Sequence, residues 1–167
     1  MIELLAGILL VGTLLVAFRF AMGLRWARLM REKALFEELE RGRRLVAEVP
    51  TSSGEIELFL EDESGFYWSG ERLGKPQLVG ARLLLNGAVM RECRRAGAAL
   101  PAAAPPEEYE GRERWEVAAY RPGGTWLIEC GSLREGVSRE AARDVFAALE
   151  AACAAPEAQP QVMPGRP

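Results

Sequence analysis

The hydrophobic and polar positions of this chain fall into three regimes. Residues 4–24 are apolar with few breaks, and the one charge among them, Arg19, lies near the far end. At about 1.5 Å per residue, a helix of this length matches the roughly 30 Å hydrocarbon layer of a bilayer. The arginine's long stem can carry its guanidinium out to the headgroups. The pattern predicts a transmembrane anchor within residues 1–24, with the lipid bilayer as its first partner. A cleaved signal peptide would show a basic start and small residues at a cleavage site. This chain instead carries Glu3 at the start, and its apolar run gives way to Arg25, Trp26 and Arg28.

Basic residues follow the apolar run and none precedes it. That asymmetry predicts a single-pass protein of an inner or plasma membrane, with its N-terminus outside and the remainder cytoplasmic. Arg25, Trp26, Arg28 and Arg31 are the candidate contacts with the membrane surface.

In the second regime, residues 25–42, good helix formers continue without proline, and Gly42 supplies a stop. Met22, Trp26, Leu29, Phe36 and Leu39 recur at helical spacing. This stripe is expected to cover the protein's own domain. A short parallel coiled coil in a homodimer is the alternative.

From Arg43 onward the period shortens. Residues 44–49, 55–60, 65–69, 77–85 and 88–93 are rich in aliphatic or aromatic side chains and bounded by turn residues, as strands are. In the second of these, Ile56, Leu58 and Leu60 alternate with glutamates, which predicts that they face the core and that Phe59 interrupts the pattern. Asn86-Gly87 is a hairpin signal. Residues 96–111 contain three prolines and few large apolar groups, and are expected to form a flexible loop. Strands are again expected at 114–120 and 125–130, joined through Arg121-Pro122-Gly123-Gly124. Ser138 reads as the N-cap of a helix over 139–153, and residues 154–167 as a disordered tail. The predicted fold class is α+β: one transmembrane helix, then, over residues 43–153, a small antiparallel sheet or barrel closed by a C-terminal helix.

Composition narrows the chemistry. The chain has no histidine, which removes the usual general base and zinc ligand near neutral pH. Its net charge of -3 argues against nucleic acid as a partner. Cys93, Cys130 and Cys153 are too widely spaced for a metal knuckle and read as reduced core residues. A Cys93 to Cys130 bridge would require an oxidising compartment. No cofactor or metal site is indicated.

Gly70-Glu71-Arg72-Leu73-Gly74-Lys75 lacks the spacing of a phosphate-binding loop and reads as turn residues. Glu61, Asp62 and Glu63 read as a solvated turn, and Ser132 has no histidine to activate it. Trp68, Trp115, Trp126, Phe66 and Tyr67 read as sheet and core residues. The connector 131–136, with Arg134 and Glu135, is the candidate recognition loop.

The succession of strands around Phe66-Tyr67-Trp68, 78–85, 115–120 and 126–130, followed by an amphipathic helix, resembles bacterial membrane-anchored pleckstrin-homology-like domains. The resemblance covers residues 43–153 in architecture and implies a small bent sheet or barrel behind an anchor. It assigns no functional residue. The expected function is a non-catalytic interaction module at the inner leaflet that meets a membrane-associated protein partner. The alternatives are lipid-headgroup binding and a histidine-free enzyme accessory subunit.

Overall fold

The computed structural model describes the backbone of residues 2–50, 56–103, 105, 113–131 and 135–155. Side chains are described at these positions except 2–11, 14, 24, 27, 135 and 136. The chain divides into two units, Met1–Gly42 and Arg43–Pro167.

The first unit is one long helix, α1 (Ile2–Glu40). It stops where expected: Gly42 takes φ +76°, and its N–H donates to the Leu39 carbonyl at 2.9 Å. Lys33 pairs with Glu37 one turn on, at 3.9 Å, and Arg41 pairs with Glu38. Trp26 is 68% exposed, and Met22, Leu29, Phe36 and Leu39 are exposed as well.

Among the described residues no helix is long and apolar enough to cross a membrane. This overturns the expected transmembrane span, and with it the single-pass inner- or plasma-membrane location and the cytoplasmic orientation derived from it. The reason is visible from Gly12 onward: every stretch of about 18 residues, the shortest that spans, contains at least three arginines drawn from Arg19, Arg25, Arg28 and Arg31. The start of the expected span, residues 4–11, lies outside the residues whose side chains are described. Arg25, Trp26, Arg28 and Arg31 are exposed positions of α1.

The second unit contains two open four-stranded antiparallel sheets, which corrects the expectation of a single sheet or closed barrel. The first sheet runs in chain order through β1 (Arg44–Pro50), β2 (Ile56–Glu61), β3 (Gly65–Trp68) and β4 (Glu71–Gly74). The second consists of β5 (Gly80–Leu85), β6 (Ala88–Arg94), β7 (Trp115–Arg121) and β8 (Gly124–Glu129), in the spatial order β6-β5-β7-β8. Between them lies a 3-10 turn, Lys75–Gln77. Pro76 within it has no N–H for a ladder, so the chain leaves one sheet there and enters the other.

Turn chemistry sets the registers. Asn86 and Gly87 both take positive φ, +50° and +77°, as a two-residue hairpin turn with the strand twist demands. Gly123, at φ +88° after Pro122, turns β7 into β8. The Asn86 side chain also accepts from the Arg114 N–H at 2.8 Å, which fastens the start of β7 beside the end of β5. Residues 95–103 carry the chain away from β6. Positions 104 and 106–111 of the expected loop, and 156–167 of the expected tail, lie outside the described residues.

Helix α2 (Glu135–Ala154) packs on β1 of the first sheet and on β5, β6 and β7 of the second, so it covers both. Its buried face is Val145, Phe146 and Leu149, the spacing seen in the sequence. Between the sheets Phe59 stacks on Phe66 with ring centroids 5.8 Å apart and meets Trp126 at 6.0 Å, while Trp68 meets Trp126 edge-on at 6.3 Å.

Two local expectations fail. Phe59, read as the interruption in β2, is fully buried, whereas Ile56 is 48% exposed. Leu60 is buried too, on the opposite face of the strand from Phe59, so both faces are covered at this end and simple alternation does not apply. Ser138 lies inside α2, which begins at Glu135, and is therefore not its N-cap.

Candidate functional site

A cleft of about 1010 Å³ opens in the second unit where the end of β4, the 3-10 turn and the segment after β6 meet the last turn of α2. Its charged groups are Glu61, Glu63, Arg72, Lys75 and Arg95; Pro76, Ala151, Ala152 and Ala155 supply apolar wall.

Each charged group is positioned by the fold. Glu61 closes β2 and is 8% exposed. Its Oε2 accepts from Arg44 Nη2 at 2.6 Å and its Oε1 lies 2.7 Å from Lys75 Nζ, so its charge is offset from both sides. The Lys75 N–H donates to the Ser64 carbonyl at 2.9 Å, holding the 3-10 turn against the β2–β3 turn. Arg72, an exposed residue of β4, donates to Ser64 Oγ at 2.8 Å. Arg95 Nη2 donates to the Lys75 carbonyl at 2.9 Å, while its Nε is buried with no hydrogen-bond partner among the described residues.

The β2–β3 turn is built on Asp62. Its Oδ1 accepts from the N–H groups of Ser64 and Gly65 and from Ser64 Oγ, all at 2.7 Å, and its Oδ2 accepts from the Tyr67 hydroxyl at 2.6 Å. The Tyr67 hydrogen bond first, then those from Ser64 and Gly65, hold the Asp62 carboxyl well below its ordinary range against the opposing effect of burial. The acids of this turn are therefore engaged in separate structural tasks: Asp62 shapes the turn and Glu61 forms ion pairs. They do not converge on one point, as a catalytic pair would.

The cysteines are free thiols in or against the core, as expected, and the near neighbour of Cys93 is Cys153, not Cys130. Cys130 is buried at the end of β8, its Sγ directed at the Ile128 carbonyl, and burial pushes its thiol up to about 12. Cys93 of β6 instead lies 3.8 Å from Cys153 of α2, sulfur to sulfur. All three are free thiols.

Of the candidate recognition loop, Arg134 and the side chain of Glu135 lie outside the described residues. Gly131, which opens it, takes φ +78° and passes so close to β1 that a Cβ would stand 2.4 Å from the Pro50 carbonyl oxygen. The sequence signal that could have pointed to the cleft was Lys75-Pro76 after Gly74, set aside because it fails as a phosphate loop. Arg95, at the end of a strand before a loop, gave no signal. Among the described residues no group of three or more acids and cysteines could hold a metal ion.

No protein-family model matches this chain, and no curated protein or solved structure matches it significantly, so the pleckstrin-homology-like resemblance rests on the order of elements alone.

Proposed function

We propose that the chain is a non-catalytic interaction module that receives an acidic segment of a partner protein in the cleft between the 3-10 turn and α2. The observation that carries this reading is the convergence of Arg72, Lys75 and Arg95 on one open volume, with the Arg95 Nε buried and lacking a hydrogen-bond partner among the described residues. Among the described residues three cations meet two carboxylates there, and one of those, Glu61, is also neutralised by Arg44 from outside the cleft.

The occupant is argued from the opposite wall. The last turn of a helix carries partial negative charge, and here the Ala151 carbonyl already accepts from the Ala155 N–H at 3.1 Å. Such a wall disfavours a compact free phosphate, whereas an extended peptide can place its acidic side chains at Arg72, Lys75 and Arg95 and its apolar groups against Ala151, Ala152 and Ala155. The volume is at the upper end of the range for a small-ligand pocket, enough for a few residues of extended chain. The non-catalytic part of the reading is supported by the absence of histidine from the chain and by the engagement of Glu61 and Asp62 in other tasks.

Fluorescence anisotropy of a labelled glutamate-rich peptide against the full chain tests this reading. Salt-sensitive binding that weakens about tenfold or more in Arg72→Glu is the expected result. Equal binding by variant and wild type, or none by either, overturns it.

A further inference from the structure

Independently of the cleft, we propose that Cys93 and Cys153 form a reversible redox site, a dithiol that a peroxide converts into an intrachain disulfide tying β6 to α2. Three observations support this. The two sulfurs are 3.8 Å apart, within a side-chain rotation of the roughly 2 Å bond. Both partners sit on regular elements already packed together, with Arg91 of β6 bonded to Glu150 of α2 at 3.0 Å one turn from Cys153. Cys93 is half-buried and Cys153 beside it is 6% exposed, so a small oxidant can reach the pair at its partly open side, whereas Cys130 is fully enclosed.

The local electrostatics select the reacting sulfur. Cys93 donates its S–H toward Cys153, which favours the Cys153 thiolate and holds that group below an ordinary thiol; Arg95 adds to this, while burial and Glu150 oppose it. The Cys153 thiolate attacks one peroxide oxygen, the O–O bond breaks, and the leaving hydroxide takes up a proton to become water. Cys93 sulfur then attacks the resulting sulfenic acid, forms the S–S bond and releases a second water. Two thiols are oxidised and one peroxide is reduced to two waters. A thiol reductant reverses the change by exchange.

The test is stoichiometric hydrogen peroxide on the reduced full-length chain, followed by intact mass, thiol titration and peptide mapping without reduction. The expected result is loss of two titratable thiols, a mass lower by about 2 Da, and a linked Cys93–Cys153 peptide pair restored by dithiothreitol. Cys130→Ser is expected to behave like wild type, and Cys93→Ser to lose the mass change. Because mapping of the wild type reads the link directly, the proposal does not depend on any variant folding. A linkage involving Cys130, an intermolecular dimer, or a stable gain of oxygen on one cysteine without a link overturns it.

Discussion

Arg95 Nη2 donates to the Lys75 carbonyl oxygen at 2.9 Å, and that bond joins the segment leaving β6 to the turn leaving β4. The two residues are 20 apart in sequence and belong to the ends of different sheets. By fixing the Arg95 head against the 3-10 turn, the bond places a second cation beside Lys75 in the cleft. The cleft thus owes its charge to the way the two sheets meet.

The same corner depends on Glu61. Its carboxylate is nearly buried, and both Arg44 and Lys75 are bonded to it. Glu61→Gln removes the charge and leaves the Lys75 ammonium short of its partner. A loss of about 1–3 kcal/mol in urea-unfolding stability is expected, most of it from the better-buried Lys75 side. A change within a few tenths of a kcal/mol would show that the pair contributes nothing.

Asp62 gives the fold a defined acid sensitivity. Its folded value lies below the ordinary 3.8, because Tyr67 and the Ser64–Gly65 turn bond the ionised form. The stabilisation is therefore fully present above about pH 4 and is lost progressively as pH falls below it. Asp62→Asn is expected to be less stable near neutrality and to lose part of the acid slope, read as unfolding midpoint against pH from 2 to 7. Parallel curves for the two proteins would remove Asp62 from the account.

Ser138 separates two readings of one residue. As an N-cap, its replacement by alanine would cost about 1 kcal/mol. In the structure its hydroxyl is fully buried inside α2 with no partner among the described residues. Ser138→Ala is therefore expected to be neutral or stabilising by up to about 1 kcal/mol. Thermal denaturation of the pair decides the sign.

Gly131 is fixed by backbone geometry and space together. It takes positive φ, and a Cβ would meet the Pro50 carbonyl oxygen at 2.4 Å, so the end of β8 and the end of β1 cannot both stay in place. Gly131→Ala is expected to cost about 2–4 kcal/mol, measured by chemical unfolding. A cost below about 0.5 kcal/mol would mean that this contact relaxes freely.

What the sequence revealed, and what it hid, follows from the range of the interactions. Turn and periodicity signals are local, and they located Gly42, Asn86-Gly87, Pro122-Gly123 and the apolar face of α2. β4 was missed because Glu71-Arg72-Leu73-Gly74 offers one apolar residue between glycines. It is a strand because β3 pairs with it from Gly65 to Trp68. Phe59 was read as an interruption because alternation assumes one buried face, and here both faces of β2 are covered at Phe59 and Leu60. The apolar start of α1 suggested a span, but the arginines from Arg19 onward leave no described helix able to cross. Nothing local distinguishes Cys153 from Cys130 as the neighbour of Cys93, or marks Arg95 as part of a cleft. Those placements arise when α2 lies down across both sheets.

The most direct measurement is an amide chemical-shift map of the full-length chain titrated with a glutamate-rich peptide. The account predicts that the largest shifts cluster at Gly74, Lys75, Gln77, Arg95 and the Ala151 to Ala155 turn, and that they fade as salt is raised. Shifts spread evenly over the surface, or concentrated away from this corner, would contradict the assignment of the cleft as the binding surface.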